Sequence, residues 1–266
     1  MAAPPADTSA ALAALAAPAR AEDHVRSLVR GVKVLSLDAG NTIIFLDHAR
    51  LSAWLGAKGF RVTAEALVAT EGEAKLLQER GGMLDVAWTG RERPGAAGWG
   101  RMVGTMVHCA GVPADAIAAF LPDLWAEHCR LNLWSLVPAG FGEAVDAARA
   151  RGVKVVVVSN SEGMLDGLFR DLGIRRHIDL LLDSGVVGVE KPDPRIFAMA
   201  LEAFDARPEA ALHLGDSIAT DVLGARAAGV PVALIDPYGH CDGRELDVPR
   251  VRGVVEVALA LATATD

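Results

Sequence analysis

The chain has 266 residues, of which 52% are hydrophobic, 23% charged and 5% aromatic, a make-up that suits a globular protein with a real core and excludes a disordered or fibrous one. Its 34 acidic against 26 basic residues give a formal net charge of -8 without a clustered Lys/Arg patch, so nucleic acid is not an expected partner. No stretch reaches the about 20 uninterrupted apolar residues of a membrane span, and no membrane association is expected.

Residues 1–30, MAAPPADTSAALAALAAPARAEDHVRSLVR, are rich in Ala and Pro and read as a flexible, weakly helical extension. They lack a basic segment ahead of a leucine-rich run, so no secretory signal is expected. The apolar run VKVLSL then ends abruptly in Asp38. Continuous apolar runs of this kind are how strands buried on both faces of a parallel sheet read. KVVVV running into Ser159, IDLLL into Asp183, ALHL into Gly215 and Asp216, and PVALI into Asp236 repeat the pattern.

Between the first run and the others, residues 47–133 carry helix-forming segments such as ARLSAWLGAKGF, AEALVATEGEAKLLQER and PADAIAAFLPDLWAEHC, with no convincing strand. From about residue 139 to 235, strands alternate with amphipathic helices. One places Phe141, Ala144, Val145 and Ala148 on a single face. The next starts at Asp193 as N-cap with Pro194 in the first turn. The predicted fold is α/β, a Rossmann-like parallel sheet with right-handed crossovers, made of residues 31–46 and 134–266, with a helical cap at 47–133 lying over the carboxyl ends of the strands.

In that arrangement Asp38, Ser159 and Asp216 end up at one rim of the sheet, with Asp221 a turn beyond. Like charges so close raise one another's pKa unless a cation neutralises them, and hard oxygen donors in that number suit Mg2+. Ser159 and Asn160 lie where a strand gives way to a helix and can receive phosphate oxygens. Lys191, in a loop stiffened by Pro192 and Pro194, can bring a point charge to a phosphoryl group in flight. Cys109, Cys129 and Cys241 each follow a histidine, but their spacing matches no common zinc pattern and suggests no disulfide framework; a reducing cytoplasm fits.

Four motifs in order, LDAGNT around Asp38, VVVVSNS ending at Ser159 to Ser161, EKPDPRIF with Lys191, and LGDSIATDVLGARAAG with Asp216 and Asp221, make the chain resemble the haloacid dehalogenase superfamily of hydrolases. The resemblance spans about residues 33–235. It implies that Asp38 is both nucleophile and metal ligand, that the Gly40 carbonyl and Asp216 bind the metal, and that Asp221 binds it directly or through water. It further implies that Ser159 holds the transferring group, that Lys191 neutralises nucleophile and phosphoryl oxygens, and that 47–133 is the substrate-selecting cap. Asn160 and Asn41 are the expected substrate contacts, and the expected ligand is a small phosphorylated metabolite.

One position departs from the pattern. Phosphatases of the superfamily usually carry an aspartate two residues after the nucleophile as general acid and base; here that residue is Gly40. Losing such a group typically costs ~100-fold to ~10,000-fold in rate. Several readings stay open: a phosphatase with a good leaving group or with an acid borrowed from Asp47 or His48; carbon-phosphorus cleavage through a Schiff base on Lys58 or Lys75 of the insert; haloacid dehalogenation; or a phospho-ligand binding module without turnover. Trp54, Trp88, Trp99, Trp125 and Trp134 are expected to fill the helical core rather than to set specificity.

Overall fold

The structure, a computed structural model, describes residues 22–86, 88 and 93–264. In chain order its main elements are α1 (Glu22–Leu28), β1 (Val34–Leu37), β2 (Phe45–Leu46), α2 (His48–Ala57), α3 (Ala64–Glu79), α4 (Ala96–Cys109), α5 (Ala114–Arg130) and β3 (Trp134–Leu136). There follow α6 (Phe141–Ala150), β4 (Lys154–Ser159), α7 (Leu165–Asp171), β5 (Leu180–Asp183), α8 (Ser184–Val187), α9 (Arg195–Glu202), β6 (Ala211–Gly215) and a π-helical turn (Ile218–Val222). The chain continues with α10 (Leu223–Ala227), β7 (Val232–Ile235), β8 (Arg250–Val251) and α11 (Val254–Thr263).

Among the described residues, six strands form one sheet in the order β5-β4-β1-β6-β7-β8, with every pairing parallel. Successive side chains of a strand point to opposite faces, and the valines of β4 show it. Val155 and Val157 join the core formed with α6, α7 and α11, whereas Val156 and Val158 join the core formed with α9 and α10. The apolar strand runs are therefore buried on both faces, as their sequence requires.

Helices α2 to α5 bury a third cluster of their own, including Leu51, Leu55, Leu67, Val103, Ile117, Leu121, Leu124 and Trp125. The antiparallel pair β2–β3, with Phe45 opposite Leu136 and Leu46 opposite Trp134, takes the chain into and out of this helical segment. Trp99 and Trp125 are buried there, Trp54, Trp88 and Trp134 pack against the same cluster, and Trp99 and Trp134 also line the cavity described below.

Three local features differ from the sequence reading. Part of the expected 1–30 extension, α1, is helical, and Val25 and Leu28 pack with buried Val29 against the sheet core; residues 1–21 lie outside the described residues. Helix α9 begins one residue later than expected, with Pro194 as its cap, although the Asp193 carboxylate still accepts from the Arg195 N–H at 2.9 Å. Helix α4 is absent from the reading because its three glycines lower helix propensity. Packing supplies the compensation: a Cβ at Gly100 would come within 2.6 Å of the Trp88 ring, so glycine there lets the indole lie against the helix backbone.

Gly98 and Gly100 of α4 thus give opposite expectations. Nothing lies within 4 Å of a Cβ at Gly98. Gly98→Ala should stabilise the fold by up to about 1 kcal/mol, through helix propensity. Gly100→Ala should destabilise it by about 1–3 kcal/mol, through overpacking against Trp88. Urea unfolding of the two variants beside the wild type checks both signs.

Candidate active site

Strand register builds the site. Leu37 of β1 pairs with Val157 of β4 and with Leu214 of β6, so the residues that follow emerge at one edge of the sheet. Asp38 is tied there by its N–H, which donates to the Leu214 carbonyl at 2.8 Å. Asp216 follows β6, and Asp221 is folded back beside the end of that strand by the π-helical turn. A Cβ on Gly215 would lie 2.2 Å from the Asp221 carboxyl carbon, so this close approach requires glycine. The Ser217 N–H donates to Asp221 Oδ2 at 2.9 Å and fixes the carboxylate.

Lys191 reaches this edge from the loop before α9. Its ammonium, almost wholly buried, donates to Asp38 Oδ1 at 2.6 Å and to Asp221 Oδ1 at 2.5 Å. The Asn160 side chain clamps the loop at both ends of one residue: Oδ1 accepts from the Lys191 N–H at 2.7 Å, and Nδ2 donates to the Lys191 carbonyl at 2.8 Å. The Asn160 amide is thereby engaged by protein groups. Asn41 is engaged through Nδ2 alone, which donates to Glu71 and, at 3.2 Å, to Asp216 Oδ2, while its buried Oδ1 has no hydrogen-bond partner.

Ser36, His213 and Glu71 were not singled out in the sequence, and Lys75 was weighed there only as a Schiff-base lysine. His213 sits inside β6 opposite Ser36 of β1, with Nδ1 2.9 Å from the Ser36 hydroxyl and Nε2 3.1 Å from Asp221 Oδ1. Burial holds the His213 imidazole below its ordinary pKa. From the helical segment, Lys75 places Nζ 2.6 Å from Asp216 Oδ2 and 3.0 Å from Glu71 Oε1, and Glu71 is also bonded to His48 Nε2 at 2.8 Å. A polar residue within an apolar strand, and a Glu–Lys pair four apart on a helix, were the only available hints. Of the two acids weighed beside the first strand, Asp47 caps α2 by accepting from the Arg50 N–H, and His48 is buried behind Glu71.

Asp38, Gly40, Asn41, Glu71, Lys75, Ser159, Asn160, Lys191, Asp216 and Asp221 line a cavity of about 560 Å³ that is shared between the sheet edge and the helical segment. Burial pushes the Asp38 carboxyl up to about 7, with Lys191 opposing and the Asp221 and Asp216 charges adding to the rise. Asp216 is raised by burial likewise, against the pull of Lys75. Burial would also raise Asp221, but Lys191 and His213 outweigh it and hold that group well below the usual range. For Glu71, Lys75 and His48 outweigh burial in the same way.

Asp38, Asp216 and Asp221 each offer a carboxylate oxygen within 4.8 Å of the others. Together with Glu71 they face the ammonium groups of Lys191 and Lys75, four carboxyl groups against two ammonium groups. Oxygen donors of this kind suit a hard cation, and burial, joined by repulsion between the carboxylates, raises Asp38 and Asp216, which a bound cation would offset. The residues fit the ion.

A sheet edge of this kind, facing a helical insert, defines a known class. Residues 32–229 match the haloacid dehalogenase-like hydrolase family, and the chain belongs to it. Haloacid dehalogenase-like hydrolase domain-containing protein 3 of Bos taurus is 30% identical over 216 residues, covering 77% of this chain and 82% of that protein. The phosphoserine phosphatase of Thermus thermophilus is 34% identical over 164 residues, covering 58% of this chain and 64% of that protein. The magnesium-bound structure of the hydrolase YfnB from Bacillus subtilis shares the fold at 18% identity with a TM-score of 0.58, over 84% of this chain and 95% of that one. The chain is thus a hydrolase. Among the described residues no helix is long and apolar enough to cross a membrane, and none of the three cysteines forms a disulfide.

Lys191→Met removes the ammonium shared by Asp38 and Asp221 and leaves two buried carboxylates facing each other. In the presence of a chelator it should lower unfolding free energy by about 3–5 kcal/mol. A divalent cation should restore part of the loss. Urea titrations with and without the cation read both effects.

Proposed function

We propose that the chain is a magnesium-dependent phosphatase of a small phosphorylated metabolite, with Asp38 as the nucleophile that is transiently phosphorylated. The observation that carries this reading is the position of the Asp38 carboxylate, bonded to the Lys191 ammonium and grouped with the carboxylates of Asp216 and Asp221 at the cavity wall. The kinship with a phosphoserine phosphatase supports the choice of phosphate ester.

In this reading an Asp38 oxygen forms a bond to phosphorus while the bond to the departing oxygen breaks, and the electron pair leaves with that oxygen. Water then attacks the aspartyl-phosphate, releasing inorganic phosphate and regenerating the carboxylate. Lys191 holds Asp38 in place and offsets negative charge as phosphoryl oxygens approach. Ser159 binds the transferring group through its hydroxyl. The amides of Asn160 and Asn41 act as braces, on the Lys191 loop and on Glu71 and Asp216 respectively. Asp38, Asp216, Asp221 and the Gly40 carbonyl would hold Mg2+, which when bound neutralises carboxylates and phosphate oxygens alike. The helical segment 47–133 serves as a cap that shapes the pocket and excludes bulk water, on a core of residues 31–46 and 134–266. A reducing cytoplasm suits three cysteines that form no disulfide.

Two other readings lose ground on geometry. A Schiff base on Lys75 needs a neutral amine, whereas Asp216 and Glu71 overcome burial and keep this amine protonated well above its ordinary range. A binding module without turnover would not need nucleophile, lysine and paired carboxylates to be retained together. The test is hydrolysis of p-nitrophenyl phosphate. Wild type should turn it over with Mg2+ and fall silent with chelator, and Asp38→Asn should lose at least about 10,000-fold, as removal of a nucleophile does elsewhere. Turnover that survives Asp38→Asn would refute the assignment.

A further inference from the structure

Gly40 supplies no side chain to a leaving group, yet the residue after it opens a path of contacts to a cation on the cap. Asn41 adopts a left-handed backbone with φ 53, and its amide donates to Glu71. Glu71, buried on α3, receives His48 on its other oxygen and holds Lys75 one turn further on. Lys75 Nζ meets Asp216 as well, so its ammonium is fixed by one carboxylate from the helical segment and one from the sheet edge.

Surface Glu–Lys pairs at this spacing are worth only about 0.2–0.5 kcal/mol and stay hydrated. Here the pair is drawn inward, with the Lys75 side chain 15% and that of Glu71 4% exposed. Burying an ammonium is costly without partners. Lys75 also lines the cavity together with Asp38 and Gly40, whereas His48 does not.

We propose that Lys75 is a catalytic residue of the reaction: its ammonium receives the departing oxygen when Asp38 attacks phosphorus, and offsets the charge that Gly40 cannot quench with a proton. Glu71 is the positioning residue that aims it. This rests on the phosphatase reading. Lys75 donates a hydrogen bond and keeps its proton; the departing oxygen carries the electron pair of the broken bond and takes its proton from solvent water. The assistance therefore grows with the basicity of the leaving group. Substrates whose leaving oxygen is already a stable anion need little of it.

The experiment compares kcat/KM of wild type, Lys75→Met and Lys75→Arg in Mg2+ across aryl and alkyl phosphates of rising leaving-group pKa. Lys75→Met should lose about 100-fold more with alkyl phosphates than with p-nitrophenyl phosphate, the usual cost of one donor to a developing oxyanion. Lys75→Arg should recover part of the alkyl activity. Circular dichroism and thermal melting of both variants establish that they are folded. An equal loss with every leaving group, or none with any, overturns the assignment and leaves Lys75 as a latch between cap and core. A wild type silent with p-nitrophenyl phosphate would instead sink the phosphatase reading and the role of Lys75 with it.

Discussion

The site depends on one buried ammonium. Three carboxylates gathered at a sheet edge repel one another, and burial makes each of them more expensive to ionise. Lys191 lies between two of them, on Asp38 and Asp221, and is raised well above its ordinary range because those carboxylates outweigh its own burial. With Lys191 in place, Asp221 remains an anion that can share a cation, and Asp38 is held with its remaining oxygen free for other contacts.

Other features of the fold keep that ammonium in position. Parallel register brings the ends of β1, β4 and β6 to one edge. Gly215 lets Asp221 fold against β6, and Asn160 locks both backbone groups of Lys191. Behind Asp221 stands the Ser36–His213 pair, a polar contact inside the sheet that fixes the imidazole against the carboxylate. On the opposite side, Glu71 and Lys75 come from a segment with its own core, so that part of the electrostatic environment arrives only with the insert.

Much of this was legible in the sequence. Strands buried on both faces must be apolar throughout, so the polar residues Asp38, Ser159 and Asp216 stood out as their ends, and parallel topology places such ends together. Lys191 and Asp221 were legible from the ordered motifs. The remainder depends on contacts between distant positions. His213 and Ser36 are single polar residues in apolar runs, 177 positions apart, and pair only through strand register. Glu71 and Lys75 resemble a solvated helix pair until the insert is laid over the sheet, and α4 hides behind glycines whose purpose is to admit an indole ring. The bonds from Asn160 to the Lys191 backbone and from Asn41 to Glu71 and Asp216 likewise join distant positions.

The central claim is that Asp38 itself carries the phosphoryl group. Acid quench of the enzyme during turnover of p-nitrophenyl phosphate in Mg2+, followed by peptide mass spectrometry, locates the group directly. The account predicts one phosphoryl on the peptide containing Asp38, absent after chelation and absent in Asp38→Asn. A phosphoryl group on any other residue, or phosphate release by a protein that never carries one, would contradict it.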